Sequence, residues 1–267
     1  MDPSAFAGIV FLAAFYALAA WWLGRRPTQR QVFFFCLLII AMLITFGPLD
    51  ELSDARSFWG HMLEHSVQSW VIPPLFLLAM PDWMLRPFVM SRPIRPLARF
   101  FAKPVVVFLS FTTIYVFVHN PPVFNLMTRN EDFHIAVHLL FMLGGTILFW
   151  PLLSPMPEFP RLSYPMQVLY IFLLMVPMTA VAAPITLAGS VVYPWYAAGP
   201  HPFGLTALQD QVIGGILMWV ADSFYLMLIA TMIFFRWARS DEIEVPPVNL
   251  RRPPELRAAG QSRSARA

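Results

Sequence analysis

Seven stretches of about twenty mostly apolar residues recur along the chain, at 4–23, 31–49, 58–80, 104–120, 132–153, 164–188 and 209–236. A helix of that length matches the ~30 Å hydrocarbon core of a bilayer, where each backbone must satisfy its own hydrogen bonds. The expected fold class is therefore all-α: a polytopic membrane helix bundle with seven transmembrane helices. Composition agrees, with 58% hydrophobic and only 12% charged residues, against about 25% charged in a soluble domain. Pro73, Pro74, Pro177 and Pro184 fall inside runs and should kink them. The first run lacks a preceding basic segment and a small-residue cleavage site, so it reads as a retained span rather than a signal peptide.

The loops between runs carry an uneven charge. One set holds Arg25, Arg26 and Arg30, then Arg86 to Lys103, then Arg161, then the arginines from Arg236 onward. The other set holds only Arg56 and Arg129 of the 18 basic residues. The positive-inside rule then puts the N-terminus outside and the C-terminus in the cytoplasm of a bacterial inner membrane, which an odd number of spans requires. The net charge of +3 is read as orientation, not as affinity for nucleic acid. Residues 240–267 are rich in Pro, Arg, Ser and Ala and should form a disordered cytoplasmic tail after a 1–239 transmembrane domain. The single cysteine, Cys36, rules out an internal disulfide and any CxxC site.

With that topology, all six histidines fall near the outer face. His61 and His65 open the third run, His119 closes the fourth, His134 and His138 open the fifth, and His201 lies in the loop before the seventh. Residues four apart share one helix face. A lone HxxxH pair is common without a ligand, but two pairs at similar depth on two helices could bring four imidazoles to one ion. Imidazole suits zinc, copper, iron and nickel, and a thioether one turn on, at Met142, tilts the choice to copper. Asp210, opening the seventh run, could join as a ligand or orient an imidazole. Gly214 and Gly215 behind it would let another helix approach closely. The candidate metal set is His61, His65, His134, His138, His119, Asp210 and Met142. His119 also fits a helix-end hydrogen bond, His201 a bystander, and Glu64 a proton or metal contact. Delivery of an ion to a partner calls for incomplete coordination and a wet mouth.

The segment HMLEHSVQSWVIPPLFLLAMP (61–81) resembles the HMxxHM…APPLLxLGxP stretch of the CtaG-like cytochrome c oxidase assembly factors. HNPPVFNLMTRNEDFHIAVHLLFMLGGTILFWPLL (119–153), LYIFLLMVPMTAVAAPITL (169–187) and DQVIGGILMW (210–219) extend the likeness over about 55–240. Ser66 stands where that family often has methionine, and Asp222 follows MWV where it has a small or Pro-Gly element. The resemblance implies a non-enzymatic role in maturing a haem–copper oxidase, with its subunits as partners and copper as the metal. Two alternatives compete. A haem-carrying electron carrier would space its histidines about four turns apart rather than one. A metal transporter needs polar groups along its whole path, and the inner halves of these runs are nearly free of them. No HExxH or nucleophile motif marks an enzyme.

Overall fold

The computed structural model describes residues 3–198 and 201–244. Among these residues the secondary structure is helical, with no strand. The helices are α1 (Pro3–Trp22), α2 (Gln29–Asp54), α3 (Phe58–Ser66, Val67–Val71 and Ile72–Ala79 in succession), α4 (Asp82–Val89) and α5 (Ile94–Phe101). They continue with α6 (Pro104–Val118), α7 (Pro121–Met127), α8 (Glu131–Leu153), α9 (Tyr164–Leu187) and α10 (Ala207–Ile216, Leu217–Ala221 and Asp222–Glu244 in succession). The tail expected at 240–267 lies, beyond Glu244, outside the described residues.

Five of these helices, α1, α2, α8, α9 and α10, are long and apolar enough to cross a membrane. A sixth crossing appears if α5 and α6, bent by 90° at their junction, count as one. The run expected at 58–80 does form a continuous helix, but α3 is too polar to qualify by composition. Its position explains this. α3 is enclosed by α2, α8 and α10, and it buries His61, Glu64, His65, Gln68 and Ser69 beside Phe58, Met62, Trp70 and Leu77. A helix wrapped by other helices need not be apolar on every face; it needs its polar groups partnered. The run expected at 104–120 forms α6 over Pro104–Val118, starting after the break at Lys103 and Pro104 as expected and ending two residues early, where His119 caps it.

Three helices widen into π turns: Thr45–Leu49 in α2, Val67–Val71 in α3 and Leu217–Ala221 in α10. The first contains Pro48 and the second ends just before Pro73 and Pro74. Proline lacks the N–H and collides with the preceding turn, so a wider turn relieves both.

Small residues set the spacing. A Cβ on Gly145 of α8 would lie 2.6 Å from the Ser69 carbonyl oxygen and 2.7 Å from Pro73 Cγ. On Gly214 of α10 it would lie 2.5 Å from the Phe58 ring, and on Gly215 it would meet Thr186 of α9. α8 and α10 therefore approach α3 as closely as backbone allows, as expected for Gly214 and Gly215. At the periphery, α1 leans on the bundle through Tyr16, which stacks on Phe35 at 3.9 Å and donates to the Ala79 carbonyl at 3.3 Å.

Candidate metal centre

α3 begins where α2 ends. Arg56 turns the chain in the left-handed region (φ 60°), and Ser57 caps α3 by accepting from the Gly60 N–H at 3.1 Å. A second cap comes from far away in sequence. The Asp210 carboxylate, fully buried at the start of α10, accepts from the N–H groups of Phe58 (2.8 Å) and Trp59 (3.0 Å) and from the Ser57 hydroxyl (3.3 Å). His201 Nδ1 lies 3.2 Å from the same carboxylate. Asp210 thus places a negative charge on the positive end of the α3 dipole and satisfies amides that have no partner within the helix.

One turn in, the two histidine pairs meet. A ligand nitrogen from each of His61, His65, His134 and His138 lies within 4.8 Å of the other three. His61 Nε2 is 2.9 Å from His65 Nε2, and His138 Nε2 is 3.1 Å from the same atom. Ring centroids are 4.3 Å apart for His61 and His65, 4.1 Å for His134 and His138, and 4.8 Å for His61 and His134. Each neutral imidazole nitrogen has either one lone pair or one proton, so three Nε2 atoms aimed at one another are poorly satisfied by protons alone. A shared cation satisfies them together. Bonds of about 2.0–2.1 Å in a tetrahedral site put ligand nitrogens about 3.3 Å apart. The two distances to His65 are a few tenths of an ångström shorter, and no separation in the set exceeds 4.8 Å, so ring rotations would be needed to bring all four nitrogens to a common ion.

Orphaned atoms support the fit. His134 Nε2 and His65 Nδ1 are buried without a protein hydrogen-bond partner, as are Glu64 Oε2 and Gln68 Oε1. Groups that orient metal-bound imidazoles are present as well. The Tyr196 hydroxyl sits 2.8 Å from His61 Nδ1. The Glu64 carboxylate, held by Gln68 Nε2 at 3.0 Å, lies 3.5 Å from His138 Nδ1. Burial first, then the charges of Asp210 and Glu64, hold the Tyr196 phenol well above its usual range, so it stays a neutral O–H.

An aromatic roof closes the site. Phe58, Phe124 of α7, Tyr193 and Tyr196 are all buried, with Phe124 4.0 Å from Tyr193 and 5.4 Å from His61. The loop carrying both tyrosines is pinned by Gln211, which accepts from Val192 N–H at 2.6 Å and donates to the Ile185 and Ser190 carbonyls. Arg56 fastens its far end by donating to the Ala198 carbonyl at 2.7 Å and lying over Trp195. His61, His65 and His138 are buried and His134 is half-buried. The wet mouth expected from the sequence is absent over His61, His65 and His138, and His134 is the least buried of the four.

The remaining expected site residues stand apart from the four imidazoles. His119 caps α6; its Nδ1 donates to the Tyr115 carbonyl at 2.7 Å, and its own carbonyl accepts from Tyr193 at 2.8 Å. Its ring is 6.4 Å from that of His65. Asp210 is engaged by the α3 amides. Met142 lies one turn beyond His138 on α8, half-buried. Tyr196 escaped the sequence reading, because a loop tyrosine among Trp and Pro residues looks like an interface aromatic.

Comparison with known proteins bears on this arrangement. The chain is 24% identical to uncharacterized proteins of Mycobacterium bovis and Mycobacterium tuberculosis, over 75% of its own length and 33% of theirs. It is likewise 24% identical to an uncharacterized protein of Mycobacterium leprae, over 76% of its length and 33% of that protein. The chain thus spans about a third of the length of these curated relatives. No solved structure matches it. A family model, that of the cytochrome c oxidase caa3 assembly factors, matches residues 14–240, a segment that includes all six histidines and both helices carrying the paired imidazoles, and the chain belongs to this family.

Proposed function

We propose that this protein is a non-enzymatic, seven-span factor of the bacterial inner membrane that takes copper as cargo at the four-imidazole centre and supplies it during haem–copper oxidase assembly. The observation that carries the reading is the convergence of His61, His65, His134 and His138 within 4.8 Å, in a chain of the oxidase assembly family. The loop charges support an extracytoplasmic position for the centre, with the N-terminus outside and the C-terminus in the cytoplasm. α3 and the α5–α6 pair complete the seven crossings in this reading.

Tyr196 and Glu64 hold the His61 and His138 rings with Nε2 turned inward. The aromatic roof excludes water from three of the four rings, and His134 is the ligand closest to solvent. Met142, one turn deeper on α8 and apart from the four rings, would favour reduced copper only if its thioether turned toward the centre. A haem fits less well: a porphyrin needs an open slab beside its axial histidine, and these rings stand against one another at 4.1–4.8 Å.

The test pairs two measurements. Purified protein should bind about one Cu(I) per chain, and His65→Asn or His138→Asn should abolish this without lowering Tm. Cells carrying either variant should lose oxidase activity at limiting copper and regain it in excess copper. If activity falls equally at both copper levels while the variant still binds copper normally, copper supply is the wrong mechanism and the histidines belong to a docking surface for an oxidase subunit.

A further inference from the structure

At the opposite end of the bundle from the histidines, a cavity of about 880 Å³ opens among α2, the end of α3, the end of α8, the start of α9 and α10. That is toward the upper end of the usual 300–1,000 Å³ for ligand pockets. Its floor is apolar, formed by side chains such as Leu77, Phe149 and Leu153, while Arg30, Arg161 and Arg236 stand at its rim.

These three guanidiniums come from distant parts of the chain. Arg30 sits in the first turn of α2 beside Phe34. Arg161, in the loop before α9, is oriented by donating from Nε to the Ser154 carbonyl at 2.9 Å. Arg236 belongs to the last turns of α10. They are close enough that Arg236 and Arg30 both repel the charge on Arg161, which partial burial already disfavours. Among the described residues the only carboxylate in the cavity wall is Asp82, against three arginines, a net charge of about two positive units from those residues. Nearby Arg86 is paired with Glu158 and lies outside the wall.

A pocket with a cationic rim and an apolar floor, between helices at the basic end of a membrane bundle, matches an anionic headgroup above acyl chain. A soluble anion would use the rim and leave the floor bare. A zwitterionic lipid would offer the same phosphate but bring a cationic group with it, leaving the net positive charge of the rim uncompensated.

We propose that an acidic phospholipid occupies this cavity, its phosphate among Arg30, Arg161 and Arg236 and an acyl chain along the floor toward Leu77 and Phe149. The protein, delipidated in uncharged detergent, is offered phosphatidylglycerol, phosphatidylcholine with the same chains, or inorganic phosphate alone. Retained lipid is read by native mass spectrometry and stabilisation by Tm. Two net charges at about fivefold each predict phosphatidylglycerol retention about twenty-five-fold above phosphatidylcholine. The exposed Arg30→Gln, Arg161→Gln and Arg236→Gln changes, combined, should bring it down to the phosphatidylcholine level with the lipid-free Tm unchanged. Leu153→Trp, which fills the floor and keeps all three arginines, should also lower it. Equal retention of the two lipids, undiminished retention in either variant, or full stabilisation by phosphate alone overturns the proposal.

Discussion

Removing the Asp210 carboxylate should unfasten the top of α3 before it touches the imidazoles. Asp210→Ala leaves the Phe58 and Trp59 amides and the Ser57 hydroxyl without the acceptor they reach at 2.8, 3.0 and 3.3 Å. A buried group left unsatisfied costs about 1–3 kcal/mol, and bonds to a charged acceptor lie at the upper end. Two amides, that of buried Phe58 and that of half-buried Trp59, therefore put the loss at about 3–5 kcal/mol. Asp210→Asn keeps the shape but turns one acceptor into a donor facing N–H groups, for about 2 kcal/mol. In a protein of this size each kcal/mol moves Tm by ~2–4 °C, so Asp210→Ala should lower it by on the order of 10 °C. Thermal unfolding in detergent, followed by tryptophan fluorescence, measures the shift. A copper titration of the same samples below their transition separates cap from ligand: the cap role predicts stoichiometric copper in Asp210→Asn. An unchanged Tm with lost copper would refute the capping argument and make Asp210 a ligand.

Tyr196→Phe removes the hydroxyl 2.8 Å from His61 Nδ1; copper affinity should fall about 10–100-fold with the site still filling at high copper. An unaltered Kd in competition with a chromogenic Cu(I) chelator would exclude Tyr196 as an orienting group. Gly145→Val drives a branched side chain into the Ser69 carbonyl and Pro73, atoms that cannot rotate away. We expect about 1–3 kcal/mol of destabilisation and weaker copper binding through displacement of His138; a variant as stable as wild type would contradict the close α3–α8 approach. Arg56→Ala loosens the loop that carries Tyr196 by removing its bond to Ala198, and amide exchange over 188–198 should quicken while exchange in α8 does not.

The sequence carried the paired imidazoles because helical spacing is a local rule: His61 with His65, and His134 with His138, share faces whatever surrounds them. Their meeting needed α3 beside α8, for which the shared membrane side was the only sequence clue. The partners of Asp210 were hidden for a different reason. They are backbone amides, which every residue possesses, so no spacing announces them. The roof was hidden because Phe124, Tyr193 and Tyr196 come from a short helix and a loop whose path is fixed by Gln211 and Arg56 through carbonyls and amides. The polar character of 58–80 was visible, but its cause, enclosure by three neighbours, is a fact of packing.

These contacts give the centre an order of rigidity. His61 and His65 ride on a helix whose start is capped by Ser57 and Asp210, whose flank is pressed by Gly145 and Gly214, and whose π turn lies one turn further in. His138 faces the buried Glu64 from α8. His134, one turn nearer the helix end, is half-buried and its Nε2 has no protein partner. Three imidazoles are thus held by the core, and the fourth is held mainly by its own helix. If the centre takes an ion as proposed, the ion would meet His134 first and then the preformed trio, and on leaving it would have to break the trio while His134 is free to turn outward. His134→Ala should therefore slow loading and release more than it weakens equilibrium binding, whereas His65→Ala should abolish binding outright. Stopped-flow transfer of Cu(I) to a chelator distinguishes the two, and equal losses of affinity in both variants would show that the four rings act as one rigid set.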